Sequence, residues 1–299
     1  MIILSDENKK WVDEFFEKLQ NKLSKTAITI KDFIPYTVEN GKYVESPMEG
    51  ITWWTNGFFG GLMWLMYNAT KKDIYKEAAI NQEKLLDEAL SLYDGLHHDV
   101  GFMWGLTSKA NYILTGNKES RVKSLYAANL LAGRVNIKGG FIRAWNSPLN
   151  YSIIDCMMNI PLLYWASREI KDNRFRYIAE MHADMTMQEH IREDGSVVHI
   201  AVHAEEHNEV TETLAGQGYA VGSAWSRGQA WAVYGFILSY IHTGEEKYLQ
   251  SAKKVADYFM EYSAKSNYKT VTDFNAPKEP VYYDNTAGAC AACGNDICA

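Results

Sequence analysis

A repeated helix–turn–helix junction constrains the fold of this chain more than any other feature. Apolar segments with helical periodicity are separated by four short polar turns. The turns are Thr70–Asp73, Thr115–Lys118, Ile170–Asn173 and Thr243–Glu246. Three of the segments that follow carry an aromatic residue and, four positions later, an alanine: Tyr75/Ala79, Phe175/Ala179 and Tyr248/Ala252. Because a small residue lets neighbouring helices approach closely, the pattern predicts five antiparallel helical hairpins in an all-α chain.

The predicted helices are joined alternately by short turns and long loops. They cover residues 6–24, 57–68, 74–93, 103–115, 118–133, 151–168, 174–190, 226–242, 245–263 and 286–293. Residues 191–224 break the helical pattern, and the Asp194-Gly195 turn followed by β-branched residues predicts a short hairpin or extended excursion. A ring of such hairpins would collect the long loops on one face.

Four helix starts that follow long loops carry clusters of polar and aromatic side chains. The clusters are Trp53–Phe58, His97–Trp104, Trp145–Asn146 with Asp155, and Trp225–Trp231. In the last of them, Arg227 can hold a carboxylate with its planar guanidinium, and the tryptophans offer flat faces to a ring. An ordinary capped helix with a surface arginine is the alternative for that segment alone. The equivalent placement of all four clusters favours one cavity for an acidic, ring-shaped ligand.

Asp99 and Asp155 are the acids with the most informative surroundings. Asp155 lies among Ile and Met residues in a predicted helix, where burial would raise its pKa because the charged form loses water. A raised pKa suits a general acid at neutral pH. Asp99, which follows His98, would tune Asp155 as a like charge or position a water or hydroxyl group. The structural alternatives are a capping or core acid for Asp155 and a turn residue for Asp99.

Composition narrows the classes of function. The chain has 299 residues, enough for one large domain or two small ones, and 13% of them are aromatic, as in many ring-binding clefts. A net charge of −7 without a basic run argues against nucleic acid, and no segment is apolar for long enough to span a membrane. The cysteines form no secreted disulfide framework and the N-terminus lacks a signal-peptide pattern, so we expect a cytoplasmic protein. The oligomeric state is left open.

Two motifs resemble metal-binding patterns. His199, His203 and His207 recur every four residues, and the last two fit an H-x-x-E-H pattern. That pattern requires a helix, whereas the β-branched residues upstream predict a strand, so His199 is expected to donate to a ligand or to lie buried with its own partners. Cys290 and Cys293 form a lone C-x-x-C pair without a nearby histidine. Nucleotide-binding motifs are absent as well, and the evidence for a metal site from these two patterns is weak.

Five segments spread over residues 50–285 carry a resemblance to a known family. They are Trp54–Phe58, His98–Phe102, Ala144–Asn146, Ile154–Asn159 and Trp225–Trp231. Together they resemble the unsaturated glucuronyl hydrolases, glycoside hydrolase family 88. The resemblance implies an (α/α)6 barrel of six helical hairpins, formed here by residues 1–299 as one catalytic domain. It also implies action on oligosaccharides left by polysaccharide lyases.

The reaction that the resemblance implies is hydration of an enol ether. The C4=C5 bond of a 4,5-unsaturated uronic acid at the non-reducing end takes up water, the hemiketal opens and the glycosidic bond breaks. Asp155 would protonate C4 and then help to deprotonate the water that attacks C5, while Asp99 would bind ring hydroxyls and tune Asp155. No metal or organic cofactor is implied. The other sugar-site residues implied are Trp54, Asn56, Phe58, His98, Trp145, His199, Gln217, Arg227 and Trp231.

The chain departs from the family in length. The family has six hairpins and residues up to Ala299 supply five, so we expect the last hairpin, and its part of the sugar site, to be absent. An open ring would expose apolar surface, which predicts reduced stability or self-association. Two other functions remain open. One is unsaturated rhamnogalacturonyl hydrolase of family 105, acting on pectin fragments; the other is a sugar-binding protein inactivated by the missing hairpin.

Overall fold

Eleven α-helices and seven short strands form the part of the chain that the computed structural model describes, which is residues 5–30, 32–45, 50–204 and 209–298. The helices are α1 (Asp6–Thr29), α2 (Phe58–Thr70), α3 (Asp73–Leu86), α4 (Val100–Trp104), α5 (Ser108–Thr115), α6 (Lys118–Ala132), α7 (Pro161–Ile170), α8 (Asn173–Glu189), α9 (Ser226–Thr243), α10 (Glu246–Ala264) and α11 (Asn285–Cys298). The strands are β1 (Thr37–Glu39), β2 (Lys42–Val44), β3 (Val135–Asn136), β4 (Phe141–Ile142), β5 (Tyr151–Ile153), β6 (Ile200–His203) and β7 (Val210–Leu214). The chain divides into two compact units, Met1–Leu96 with Phe102–Ser124 and His97–Gly101 with Leu125–Ala299.

All four predicted turns end their helices in the same way. The residue after each helix has a left-handed backbone, and its N–H donates to the carbonyl four residues earlier. These residues are Lys71 (φ 57°), Gly116 (φ 77°), Lys171 (φ 57°) and Gly244 (φ 75°). Glycine adopts this conformation freely, whereas a lysine does so at a cost of roughly 1 kcal/mol. The predicted helix–turn–helix junctions are therefore confirmed at α2–α3, α5–α6, α7–α8 and α9–α10.

The core of the first unit lies where α2 and α3 pack together with α1. Met63 and Trp64 of α2 and Tyr75 and Ala79 of α3 are buried in one cluster. Leu23 of α1 belongs to the same cluster. Each fully buried large apolar side chain contributes roughly 1.5–3 kcal/mol. The aromatic–alanine pair noted in the sequence thus marks the core-facing side of α3.

A buried carboxylate links α3 to α5 and α6 within the first unit. Glu83 accepts hydrogen bonds from Asn111 Nδ2 (2.7 Å) and Ser120 Oγ (2.6 Å), and Lys123 Nζ lies 3.6 Å away. We expect Glu83→Ala to lower the free energy of unfolding by roughly 3 kcal/mol, because it leaves these buried polar groups without their partner. Chemical denaturation measures the loss. The matched control is Glu119→Ala, which removes an exposed carboxylate 3.2 Å from the same lysine; equal losses in the two variants would contradict the prediction.

Strands in the second unit replace part of one predicted helix. The sequence predicts a helix over residues 151–168, but β5 occupies its first residues and α7 begins only at Pro161. β5 pairs antiparallel with β6, so that Tyr151 lies opposite Val202, and β6 pairs with β7. This long-range pairing outweighs the helical periodicity of the segment. The extended excursion predicted within residues 191–224 is confirmed by β6 and β7.

Two further helix predictions need correction. The helix predicted over residues 103–115 is divided into α4 and α5, and the intervening Thr107 donates its hydroxyl to the carbonyl of Met103 at 2.6 Å. Such side-chain bonds to nearby carbonyls compete with regular helix geometry. The helix predicted over residues 74–93 ends at Leu86 and continues as 3₁₀ turns. Within the described ranges, no helix combines the length and the apolar character needed to cross a membrane.

Candidate active site

The two candidate acids lie in the second unit, on short elements rather than within long helices. Asp99 directly precedes α4, and Asp155 lies in a 3₁₀ helix, Ile154–Met158, that follows β5. Asn159 links them, because its Nδ2 donates to Asp99 Oδ1 (3.2 Å) and to the backbone carbonyl of Asp155 (3.1 Å). A Cβ on Gly101 would lie 2.5 Å from the Cα of Asn159, so only glycine permits this approach. The side chains of Asp99 and Asp155 are 10% and 15% exposed.

The tautomer of His199 is fixed by a backbone amide. The N–H of Gln217 donates to His199 Nδ1 at 3.0 Å, and because an amide nitrogen only donates, Nδ1 carries the lone pair. The ring proton is therefore on Nε2, and the 3.2 Å contact between Nδ1 and the carbonyl of Ala215 is not a hydrogen bond. His199 Nε2 lies 3.4 Å from Asp155 Oδ2. This N–H favours the ionised form of Asp155.

His98 has the opposite tautomer. Its Nδ1 lies 2.8 Å from the carbonyl oxygen of Ala144, and because a carbonyl only accepts, Nδ1 carries the proton. The lone pair on Nε2 lies 3.2 Å from Asp99 Oδ1. That contact is favourable when Asp99 is protonated, since a carboxylic O–H donates to His98 while it accepts from Asn159. Burial lowers the pKa of His98 to about 4, so the ring is neutral at pH 7.

Burial and these contacts set the pKa values of the two acids apart. Burial raises the pKa of Asp99 to about 7, and the nearby charge of Asp155 adds to that increase. Burial acts in the same direction on Asp155, but the contact with His199 outweighs it and holds the pKa of Asp155 below its usual value. The prediction of a raised pKa at Asp155 is therefore wrong. The raised pKa belongs to Asp99.

Other predicted sugar-site residues of the second unit are placed around this pair or in its supports. The ring of Trp145 meets His98 edge-on, with 5.9 Å between centroids. Gln217 has an exposed side chain, and its backbone holds His199. Trp231 is buried in α9.

The predicted residues of the first unit form an aromatic cluster. The ring centroid of Trp54 lies 5.3 Å from that of Phe58 and 5.4 Å from that of Phe102. Asn56 is buried, and its amide donates to the carbonyls of Gly50 (3.0 Å) and Ile51 (2.9 Å). Asn56 thus fixes the loop that carries Trp54.

Arg227 forms an ion pair with a carboxylate of the protein itself. Its Nε and Nη2 lie 2.9 and 2.7 Å from Asp284 Oδ2. Asp284 is buried, and its other oxygen accepts from the N–H of Ala287 in the first turn of α11. The guanidinium also lies 5.3 Å from the Trp225 ring centroid. These contacts make Arg227 part of the wall between α9 and α11.

Comparison with known proteins places this arrangement in a family. The model of the family described as Glycosyl Hydrolase Family 88 matches residues 29–240, more than half of the chain. The chain belongs to glycoside hydrolase family 88. The resemblance based on sequence segments is thereby confirmed.

Known relatives align with most of this chain. An unsaturated glucuronyl hydrolase from Bacillus sp. strain GL1 is 34% identical over 93% of this chain and 76% of its own length. An unsaturated chondroitin disaccharide hydrolase from Streptococcus pneumoniae is 35% identical over 83% of this chain, and the match spans 64% of that relative, less than two thirds. The crystal structure of unsaturated glucuronyl hydrolase from Bacillus sp. GL1, responsible for the degradation of glycosaminoglycan, superposes with a TM-score of 0.85 over 92% of this chain and 74% of that one, at 33% identity. This match confirms the predicted all-α, (α/α)-barrel fold class.

Among the described residues, one group of side chains has its donor atoms close enough together to hold a metal ion. Donor atoms of His97, His98 and Asp99 lie within 4.8 Å of one another. Two atoms of this group have hydrogen-bond partners elsewhere, since His98 Nδ1 contacts the Ala144 carbonyl and Asp99 Oδ1 accepts from Asn159. The first residue of the H-x-x-E-H pattern, His203, lies in strand β6 and not in a helix. Its Nε2 is hydrogen-bonded to Ser152 Oγ at 2.7 Å. His207 lies outside the described residues.

Asn159, His182 and His190 were not among the site residues predicted from the sequence. Asn159 lies four positions after Asp155 in the sequence, and this spacing is the signal that could have identified it as a neighbour of that acid. Burial also lowers the pKa of four histidines. The pKa is about 4 for His97, His98 and His190 and about 3 for His182. These side chains are neutral in the folded protein at pH 7.

Acid is therefore expected to destabilise this family 88 chain well above the pH at which carboxylates titrate. Each buried histidine binds a proton near pH 6.5 when unfolded but only near pH 4 or below when folded, so stability is lost as pH falls below 6.5. Asp99 acts oppositely, because its raised pKa favours the folded state as pH falls from about 7. Four histidines outweigh one acid, and we expect a loss of about 3 kcal/mol between pH 7 and pH 5.5. Urea denaturation at the two pH values measures it; equal stabilities would contradict the account.

Proposed function

We propose that this chain releases 4,5-unsaturated uronic acid from the non-reducing end of lyase-generated oligosaccharides of the glycosaminoglycan type. The reaction is hydration of the C4=C5 enol ether. One observation carries the proposal: two buried carboxyls are joined by Asn159 in different surroundings, Asp99 with its pKa raised by burial to about 7 and Asp155 with its pKa held low by its contact with His199 Nε2. Protonation of an enol ether carbon needs an acid that keeps its proton at neutral pH, and water attack needs a carboxylate. Asp99 and Asp155 supply one of each.

In this proposal the pair carries one proton, which rests on Asp99 in the free protein. The uronate carboxylate brings a further negative charge, which raises the pKa of Asp155 and draws the proton to it. Asp155 then delivers the proton to C4, and the cation that develops at C5 is attacked by water, whose proton returns to Asp155. The C5–O5 bond of the resulting hemiketal breaks, C1 becomes a hemiacetal, and its collapse releases the shortened sugar. His199 Nε2–H steadies Asp155 whenever it is ionised.

The remaining predicted residues contribute within their own units in this proposal. In the second unit Trp145 offers a ring face, Trp231 supports the site from within α9, and His98 and His199 act through the acids that they contact; in the first unit Trp54 and Phe58 contribute their aromatic cluster. Gln217 orients His199 and presents its exposed side chain to the ligand. Asn56 and Arg227 hold the surrounding backbone, through the Gly50 and Ile51 carbonyls and Asp284 respectively.

The substrate class is supported by the relatives, which act on unsaturated glucuronyl and chondroitin disaccharide substrates according to their names. The test is the ultraviolet absorbance of the conjugated C4=C5 bond of an unsaturated chondroitin disaccharide. We expect the absorbance to decay when the chain is added. Unchanged absorbance with chondroitin, hyaluronan and heparin disaccharides, under conditions where the chain is folded, would refute the proposal.

We further propose that residues 1–299 act as one catalytic domain in the cytoplasm. The family match runs through both compact units, which supports a single functional body. Cys156, Cys290 and Cys293 are free thiols, as expected in a reducing compartment.

A further inference from the structure

A cavity of about 540 Å³ opens in the second unit beside the loop that holds His199. Its walls are rich in tyrosine, and three of these side chains are more than half exposed: Tyr219 (61%), Tyr282 (70%) and Tyr283 (56%). Lys265 and Lys278 also line it. Exposed aromatic rings around a concave surface favour stacking against a flat, ring-shaped ligand, and lysines favour an anionic one.

The walls of this tyrosine cavity are held in place by one buried carboxylate. Asp273 Oδ2 accepts from the N–H of Tyr219 (2.9 Å) and the hydroxyl of Ser223 (2.7 Å). Its Oδ1 accepts from the N–H groups of Asn275 (2.9 Å) and Ala224 (3.3 Å). Asp273 therefore joins the two loops that form the cavity, and its charge is used within the wall. A cavity fixed in this way binds without the entropic cost of ordering its loops.

Two hydrogen-bonding steps connect the tyrosine cavity to the acid pair. Gln217 lines the cavity with its side chain and donates its backbone N–H to His199 Nδ1 at 3.0 Å. His199 Nε2 in turn lies 3.4 Å from Asp155 Oδ2. The cavity wall and Asp155 are thus linked through the protein by Gln217 and His199.

We propose that the tyrosine cavity is a subsite for an anionic sugar of the same oligosaccharide, beyond the bond that is broken. The inference rests on the proposed function and extends it. Tyr282 and Tyr219 stack on the sugar ring, and Lys278 and Lys265 contact its carboxylate or sulfate. Lys265 Nζ lies 3.5 Å from the ring centroid of Tyr262 and pairs with Glu261 Oε1 at 3.0 Å, so its charge is shared with that carboxylate. Because the whole chain carries a net charge of −7, Lys278 is the main local attraction for an anion.

The test compares a short and a long substrate. We expect Tyr282→Ala and Lys278→Ala each to raise KM for an unsaturated chondroitin tetrasaccharide about tenfold, with kcat unchanged, and to leave disaccharide kinetics unaltered. The matched controls are Tyr268→Ala and Lys269→Ala, which remove exposed side chains of the same connection outside the cavity. The controls are expected to behave as wild type with both substrates.

A binding measurement separates failure of the subsite from failure of the proposed function. Titration calorimetry with a saturated chondroitin tetrasaccharide needs no turnover, and we expect Tyr282→Ala to weaken binding about tenfold relative to Tyr268→Ala. Binding that depends on Tyr282 without any turnover would refute the proposed function and support the subsite. Turnover with no difference between Tyr282→Ala and Tyr268→Ala in either measurement would overturn the subsite alone.

Discussion

Asp155→Asn is expected to abolish hydration, with kcat reduced by at least about 10³-fold. The amide can neither deliver a proton to C4 nor accept one from water. It can still accept the hydrogen bond from His199 Nε2, which lies 3.4 Å from the carboxylate, so the surrounding structure is expected to persist. The readout is the decay of C4=C5 absorbance.

The control for this variant is Asp257→Asn, which changes an exposed carboxylate on α10. The free energy of unfolding of both variants is expected to lie within about 1 kcal/mol of the wild-type value. Retention of more than a tenth of the wild-type kcat in Asp155→Asn would show that Asp155 does not take part in the reaction.

Asp99→Asn is expected to lower kcat/KM by about 10²-fold and to change its pH dependence. In the wild type the free protein is active when the pair carries one proton. Activity therefore falls as pH rises through about 7, where Asp99 loses that proton. It also falls at low pH, where Asp155 becomes protonated, and its lowered pKa moves this limb below the usual range of aspartate.

The alkaline limb distinguishes this account from a merely structural role for Asp99. Asparagine holds no titrating proton, so in Asp99→Asn the active form is the one in which Asp155 itself is protonated, and the alkaline limb is expected to move from about pH 7 to below the usual range of aspartate. Rates measured from pH 4 to pH 9 decide the matter. An alkaline limb at the same pH in wild type and variant would show that another group controls it.

Much of the helical framework could be predicted because its signals are local. The turns at Lys71, Gly116, Lys171 and Gly244 each combine a polar segment with a helix end, and all of this information lies within a few residues. The failure at residues 151–153 has a different cause. β5 forms by pairing with β6, about 50 residues later in the chain, and periodicity within a short window carries no record of that partner.

The two candidate acids could be chosen from the sequence, but the directions of their pKa shifts could not both be predicted. Burial alone would raise the pKa of both, and that part of the reasoning holds for Asp99. Asp155 differs because His199 donates to it, and His199 donates only because the N–H of Gln217 occupies its other nitrogen. The assignment thus depends on a backbone contact 18 residues apart, which no spacing rule predicts.

Arg227 illustrates a similar limit. Its residue type and position at the start of α9 suit a ligand carboxylate, and the sequence shows no other partner for it. In the structure its Nε and Nη2 lie 2.9 and 2.7 Å from Asp284 Oδ2, which supports a role in the wall. That partner is 57 residues away in sequence.

The most direct test of the central claim is the fate of C4 when the reaction runs in D₂O. Hydration of the C4=C5 bond places a deuteron from solvent on C4, so nuclear magnetic resonance of the first product formed is expected to show one deuterium at that carbon. A sample of preformed product, incubated with the chain in D₂O for the same time, corrects for later exchange next to the C5 ketone. Release of the sugar with C4 free of deuterium and the double bond still present would mean direct displacement at the anomeric carbon, and would contradict the account.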